Sequence, residues 1–311
     1  MAQDGIEVIE LALPYSNHDT FLKRAVTFGR FAARSVGVAL REPKDLVFAT
    51  STPLTAAIPG IAARVLGRTA FVFEVRDLWP ELPVAMGVIK NPVVIKGMEV
   101  LEYAAYKAAD ACVGLAPGIC EGIKRHGLTD ERVSLVPNGC DLELFAEARA
   151  QRVPIPGVQP GELVATFTGA HGLANGLLTA IEAAEALQAR QAQRIRLVFI
   201  GDGREKPMLM ERAKAKGLTN VTFLDPGKKL QLARMMASAD VGLMLLADVP
   251  AFYYGTSPNK FFDYLACGLA VLNNYPGWLA DLRFGEAVDE IDRALARLRS
   301  PVGLAIGART P

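Results

Sequence analysis

The sequence predicts an α/β protein built as two doubly wound units, each a parallel sheet covered by helices on both faces. Three observations carry this. From residue 46 onward, short apolar runs alternate with longer stretches of helical periodicity, the pattern of strands joined by helical crossovers. Residues 146–162 break the pattern with Pro154, Pro156, Pro160, Gly157 and Gly161. The alternation then restarts, and 311 residues that are 51% hydrophobic suffice for two cores rather than one.

In chain order, residues 46–51 form the first predicted strand, followed by a small-residue helix over 55–66 and a strand over 70–75. A helix covers 92–108 and a strand 111–116. Pro117 opens a further helix ending near Gly127, since proline at a first helical position forfeits no hydrogen bond. A fourth strand over 133–136 is closed by Pro137-Asn138-Gly139-Cys140-Asp141. The first domain is thus expected over 1–145 and a linker over 146–162. In the second domain, 163–311, strands are expected at 163–167, 195–200, 221–224, 241–246 and 269–272. The helices between them fall near 174–190, 204–217, 228–238 and 258–267. Two such units joined by a Pro/Gly-rich segment imply a cleft between them, a usual place for a ligand.

A net charge of +1 with 22% charged residues leaves no electrostatic footprint for nucleic acid. The four cysteines, 112, 120, 140 and 267, make neither the close pairs of a zinc site nor a disulfide framework. They read as free thiols of a reducing cytosol. Asp4, Glu7 and Glu10 stand where a signal peptide would be basic and then apolar. No apolar run nears the ~20 residues that cross a bilayer, so a cytoplasmic protein is expected.

The chemistry concentrates at the ends of predicted strands. Ser257-Pro258-Asn259-Lys260 leads a polar loop into a helix with Pro258 at its first position and Ser257 as its cap. The free N–H groups of that first turn and Lys260 suit an anion such as phosphate, and Asp263, one turn on, suits a sugar diol. Gly169-Ala170-His171-Gly172 lets backbone approach a ligand, or is an ordinary strand-to-helix turn. Gly201-Asp202-Gly203 lacks the third glycine of a dinucleotide fingerprint, because Lys206 occupies that position. Lys206 reaches a phosphate or is a solvated surface lysine; Asp225-Pro226-Gly227 sits beside a base or is only a turn. In the first domain, Arg76-Asp77-Leu78-Trp79-Pro80-Glu81 ends a strand with charged and aromatic groups. Asp77 or Glu81 binds hydroxyls or moves a proton, or pairs with Arg76 to hold the loop. Lys23, Arg30, Arg34 and Arg41, spaced by seven, four and seven, fall on nearly one helical face. That is either a face for anionic lipid or a plain solvated one.

With these residues the chain resembles the retaining glycosyltransferases of family 4, whose GT-B architecture sets two Rossmann-like domains across a cleft. Among them it is similar to the bacterial L-fucosamine and N-acetylfucosamine transferases of O-antigen and capsule assembly. Arg76–Glu81, Pro137–Asp141 and Ser257–Lys260 with Phe262-Asp263-Tyr264 carry the match, over roughly residues 5 to 285.

The resemblance implies a UDP-sugar donor held by the second domain, with no cofactor and no metal required. It places Gly169, His171, Gly172, Gly201, Gly203, Lys206, Pro258 and Asn259 around the donor, with Asp263 on the ribose hydroxyls. Where the family often has an acid to help hold the donor sugar, this chain has Gly255. Lys260 is implied as a catalytic group that stabilises the leaving diphosphate, and Asp77 as its counterpart on the acceptor side with Arg76, Glu81 and Asn138. Transfer would retain anomeric configuration, the donor phosphate helping to take the acceptor proton. The acceptor would be a saccharide or a lipid-linked sugar at the inner membrane face, giving the basic stripe a purpose.

Two departures from the family bear on activity. The chain starts after the family's first strand and Gly-rich loop, and its tail, Arg283–Val288 then Gly303–Arg309, reads as shortened. An idle GT-B protein that binds nucleotide or a partner enzyme is therefore the alternative expectation. A nicotinamide-dependent oxidoreductase is the least supported, for want of a complete dinucleotide motif.

Overall fold

The computed structural model describes residues 2–3, 5–16, 19–192 and 194–282. The chain forms two compact units, Met1–Pro137 and Asn138–Pro311. The tail readings at 283–288 and 303–309 lie outside the described residues.

The first unit opens with a hairpin of β1 (Ala2–Gln3) and β2 (Ile6–Glu7), then α1 (Phe21–Arg41), capped where Thr20 Oγ1 accepts the Lys23 N–H. β3 (Leu46–Thr50), α2 (Ala57–Gly67), β4 (Ala70–Val75), α3 (Glu81–Ala85), α4 (Pro92–Ala108), β5 (Ala111–Gly114), α5 (Pro117–Lys124) and β6 (Val133–Leu135) follow. The sheet is parallel throughout, in the order β3-β4-β5-β6. Along β4, Phe71, Phe73 and Val75 are buried and alternate with half-buried neighbours, as period-two side-chain geometry requires. α2 packs close because Gly60 faces Phe71: a Cβ there would stand 2.1 Å from the ring. α1 lies against α2. The edge strand β3 leaves Leu46 and Phe48 exposed.

Early in the second unit comes α6 (Leu142–Ala150), a helix that spans the expected boundary between the first domain and the linker. Its buried Phe145 and Ala148 join Val164, Val198, Ile200, Met236 and Tyr264 in one core. Ile155, Val153 and Val158 pack on the same core, so the Pro/Gly-rich stretch is pinned by its apolar residues. The division at Pro137/Asn138 thus precedes the expected one at 145.

β7 (Leu163–Thr168), α7 (Leu178–Ala189), β8 (Ile195–Ile200), α8 (Lys206–Ala215), β9 (Val221–Leu224), α9 (Lys229–Met236), β10 (Val241–Met244), α10 (Ala251–Tyr254), α11 (Asn259–Ala266), β11 (Ala270–Asn273) and α12 (Trp278–Leu282) complete the unit. Its sheet is parallel in the order β11-β10-β7-β8-β9. A second core on the other face gathers Phe167, Leu177, Ile181, Leu197, Phe199 and Leu209. After β9 the chain returns past β7 to build β10 and β11. The carboxyl ends of β7 and β10 therefore flank a switch point, where such sheets admit ligands.

Glu162 and Arg196, at the starts of β7 and β8, form a two-pronged ion pair with N–O distances of 2.6 and 2.7 Å. The guanidinium holds the Glu162 carboxyl below its ordinary value of 4.5. That stabilisation is full above the unfolded value and lost as pH falls through the lowered one. Glu162→Gln is expected to cost about 2 kcal/mol at neutral pH, read by urea unfolding, and to flatten the acid limb of the stability profile. Among the described residues no helix is long and apolar enough to cross a membrane.

Candidate functional site

The switch point of the second unit is built around Tyr264. Its ring lies over Gly242 of β10, where a Cβ would come within 2.4 Å, and its fully buried hydroxyl accepts the Thr168 N–H at 2.9 Å. Gly242 and Tyr264 together seat α11 directly on the sheet. One turn earlier on that helix, Lys260 is carried to the end of β7. Its Nζ donates to Asn175 Oδ1 at 2.7 Å and stands 4.1 Å above the Phe167 ring centre. Asn175 is itself fixed by its amide on the Ala170 carbonyl. Burial draws the Lys260 ammonium down to about 7. Among the described residues no carboxylate pairs with it.

The start of α11 differs from expectation in its cap. Pro258 is the capping residue and Asn259 the first helical one, with no side-chain cap. Ser257 is diverted: its Oγ accepts the Asn138 N–H at 3.0 Å, and its carbonyl accepts the Asn138 amide. Asn138, expected on the acceptor side, therefore serves the second unit's loop. Because Pro258 lacks an N–H, the first donors of α11 are Asn259 and Lys260, and neither is used among the described residues. Gly169 and Ala170 are exposed beside Lys260, whose Nζ would lie 3.8 Å from a Cβ on Gly169. Gly172 has open space where a side chain would be. Asp263 is half-buried, its carboxyl raised by burial against the counter-pull of Lys229.

Four residues expected around the donor have structural contacts of their own. Gly201 and Gly203 make room for the neighbouring loop: Cβ atoms there would meet the Gly169 carbonyl oxygen at 2.0 Å and the His171 carbonyl oxygen at 2.5 Å. The two loops are laced by His171 N–H to the Asp202 carbonyl and Glu205 N–H to the His171 carbonyl, both 2.9 Å. The His171 ring is fully buried among Phe167, Phe199 and Phe223, with no hydrogen-bond partner for either nitrogen among the described residues. Burial lowers it to about 4, so it is neutral. Lys206 spends three donors on the Gly201 and Leu224 carbonyls and on Asp225. It is a strut between the loops after β8 and β9, and Asp225 is its anchor.

In the first unit, Asp77 follows β4 and accepts the Thr52 hydroxyl at 3.1 Å, while burial raises its carboxyl above the ordinary value. Thr52 holds a φ of +92°, a conformation that costs a β-branched residue about 1–3 kcal/mol and clusters at functional sites. Arg76 lies 3.9 Å from Glu74, and Glu81 pairs with Arg125 at 3.3 Å. Of the alternative Arg76 clasp, the charge of Arg76 does act on Asp77, opposing the rise that burial causes.

Residues 1–139 match the family described as "Glycosyl transferase 4-like domain", and residues 162–282 match "Glycosyl transferases group 1". Together these take in well over half the chain. The chain belongs to the GT-B glycosyltransferases. No curated protein matches it. Among solved structures, this glycosyltransferase is similar to Anabaena HepE in complex with UDP, at 17% identity and a TM-score of 0.60, over 90% of this chain and 76% of that one. It is similar to sucrose-phosphate synthase from Thermosynechococcus elongatus at 18% identity and 0.66, over 94% and 73%. A UDP-forming α,α-trehalose-phosphate synthase from Burkholderia xenovorans matches at 16% and 0.61, over 89% and 72%.

The glycosyltransferase's switch point uses residues that the sequence reading passed over. Asn175 and Phe167 hold Lys260, and Tyr264 seats α11. Asn274 pins the loop after β11 through reciprocal 2.9 Å bonds with Leu246. Trp278 holds the same region through its Nε1 on the Thr256 carbonyl. Asn175, three residues past Gly172 in a Gly-rich turn, was the readable one.

Proposed function

We propose that this glycosyltransferase moves a sugar from a UDP-linked donor to a saccharide or lipid-linked acceptor, with retention of configuration, in cell-envelope polysaccharide synthesis. The observation that carries the donor half is Lys260, a half-buried cation whose hydrogen-bond partner among the described residues is an amide oxygen, beside N–H groups at a helix start that no described residue uses. Such a cluster stabilises a leaving diphosphate. It also supplies the positive charge at that point without a metal. Asp263 is assigned the ribose hydroxyls. Asp77, kept in a raised range by burial, is assigned the acceptor hydroxyl and with Arg76 and Glu81 marks the acceptor side. The similarity to HepE bound to UDP supports the choice of nucleotide. The donor sugar is assigned as a hexose or N-acetylamino sugar, on the resemblance to fucosamine transferases of O-antigen and capsule.

α1 supports an approach to the inner membrane face from the cytoplasm. Lys23, Arg30, Arg34 and Arg41 are all exposed, and the helix holds no acidic residue. Leu22, Val26 and Leu40 form an exposed apolar row beside them, the arrangement of interfacial helices.

UDP is expected to raise the melting temperature by several degrees at saturating ligand, and purified chain to release UDP from a UDP-sugar. Absence of any shift with UDP, ADP, GDP or their sugars sinks the reading. A shift without UDP release from any donor returns the idle nucleotide binder.

A further inference from the structure

The first unit holds a second feature that the donor chemistry leaves unused. Tyr15, Arg24 and Phe28 form one side of a pocket, and Thr52, Pro53 and Trp79 the other. The Tyr15 and Phe28 rings stack with centres 5.7 Å apart, and the Arg24 guanidinium lies 5.9 Å from each. Its Nε is buried and has no hydrogen-bond partner among the described residues. The carboxylate closest along the chain, Asp19, feels the guanidinium but is engaged elsewhere, by Lys23 Nζ at 2.6 Å and the Ser16 N–H at 3.0 Å. The segment bearing Tyr15 is tied to α1 by Arg34 on the Ala12 carbonyl and Thr27 on the Pro14 carbonyl. The pocket therefore has fixed walls. At its edge Thr52 passes a hydroxyl to the Asp77 carboxylate.

We infer that this pocket binds the acceptor, and that the acceptor is a phosphorylated sugar. Each wall recognises one part of such a molecule. Aromatic faces take the apolar C–H face of a sugar ring. A guanidinium with an unmet, desolvated N–H takes phosphate, for which its planar fork is matched. A neutral sugar would leave that N–H buried and unpaired, which disfavours it. The Thr52–Asp77 pair then receives the hydroxyl to be glycosylated. The pocket's role as acceptor site rests on the glycosyltransfer reading; its ligand chemistry does not. The phosphate has two possible sources, a free sugar phosphate or the headgroup of a lipid-linked sugar.

The test uses the full chain and tryptophan fluorescence, Trp79 being a pocket wall. Glucose 1-phosphate, glucose 6-phosphate, glucose and inorganic phosphate are titrated in solution. Phosphatidylcholine vesicles with and without a polyprenyl-phosphate glucose are titrated alongside. At least one sugar phosphate, free or on vesicles, is expected to bind tenfold or more tighter than glucose or phosphate alone. Arg24→Met is expected to remove that preference and Trp79→Phe the signal, while both variants keep the parent's melting temperature and response to UDP. Binding in solution identifies a free sugar phosphate, and binding confined to the doped vesicles a lipid-linked one; either supports the site. No preference for any phosphorylated sugar, or a preference unchanged in Arg24→Met, overturns it. Sugar-phosphate binding without a UDP response would retain the pocket and reject the glycosyltransfer reading.

Discussion

Lys260→Met is expected to give a chain that responds far more weakly to UDP and yet melts at a higher temperature than its parent. The two effects have one cause. With an ordinary value of 10.5 and a folded one of about 7, the lysine is harder to charge in the folded chain than in the unfolded one. Its burden is absent above the unfolded value, grows as pH falls from there, and is complete below the folded one. Lys260 is only half-buried, and solvent reduces the burden to about 2 kcal/mol near neutrality. Methionine removes it and keeps the contact with Phe167, so the melting temperature should rise by about 4–8 °C. The same change deletes a charge-assisted contact to the diphosphate worth about 1.5–3 kcal/mol, a roughly tenfold to hundredfold weaker Kd for UDP. In the parent, UDP affinity should fall as pH rises through 7, because the charged lysine is the binding form. Lys260→Arg should flatten that dependence. A methionine variant that keeps the UDP response would show that the phosphate is held elsewhere.

Gly201→Ala is expected to damage the second unit severely. The added atom would lie 2.0 Å from the Gly169 carbonyl oxygen and 2.9 Å from its carbon, at a φ of +148°. Both obstacles are backbone, so no side chain can swing aside. The loops after β7 and β8 must part, releasing the bonds of His171 to Asp202 and of Glu205 to His171. Overpacking, backbone strain and lost hydrogen bonds together should cost about 3 kcal/mol or more, lowering the melting temperature by roughly 10 °C. UDP binding should weaken too, since Gly169 moves away from Lys260. Gly172→Ala is the control. It has open space and an extended backbone with φ near −123°, and should shift stability by no more than about 0.5 kcal/mol. Equal effects from the two alanines would refute the interlock.

The alternation of apolar runs and helical periods made the two sheets readable, because buried parallel strands must be apolar and their crossovers amphipathic. The domain boundary was less readable. Phe145 and Ala148 look alike whichever core they enter, and only tertiary packing gave them to the second unit. The place of Lys260 in the first turn of a helix was legible because the proline two residues before it marks a helix start. The part that Lys206, His171 and the glycines at 201 and 203 play in joining loops was not legible, for a common reason. A Gly-rich loop that yields to a ligand and one that yields to another loop have the same composition. Arg24 was missed because it stands one residue from Lys23 and off the basic stripe, and because one of its two aromatic neighbours, Tyr15, lies upstream of the helix that carries Phe28.

The bond between Asn138 and Ser257 has a mechanical consequence. The chain crosses from one unit to the other at Pro137–Asn138, and the first residue after the crossing is fastened by two hydrogen bonds to the residue before Pro258. The crossing and the loop that leads into α11 are therefore a single component. A change that stiffens Ser257 stiffens the crossing with it, and a strain applied at the crossing is felt first at the start of α11.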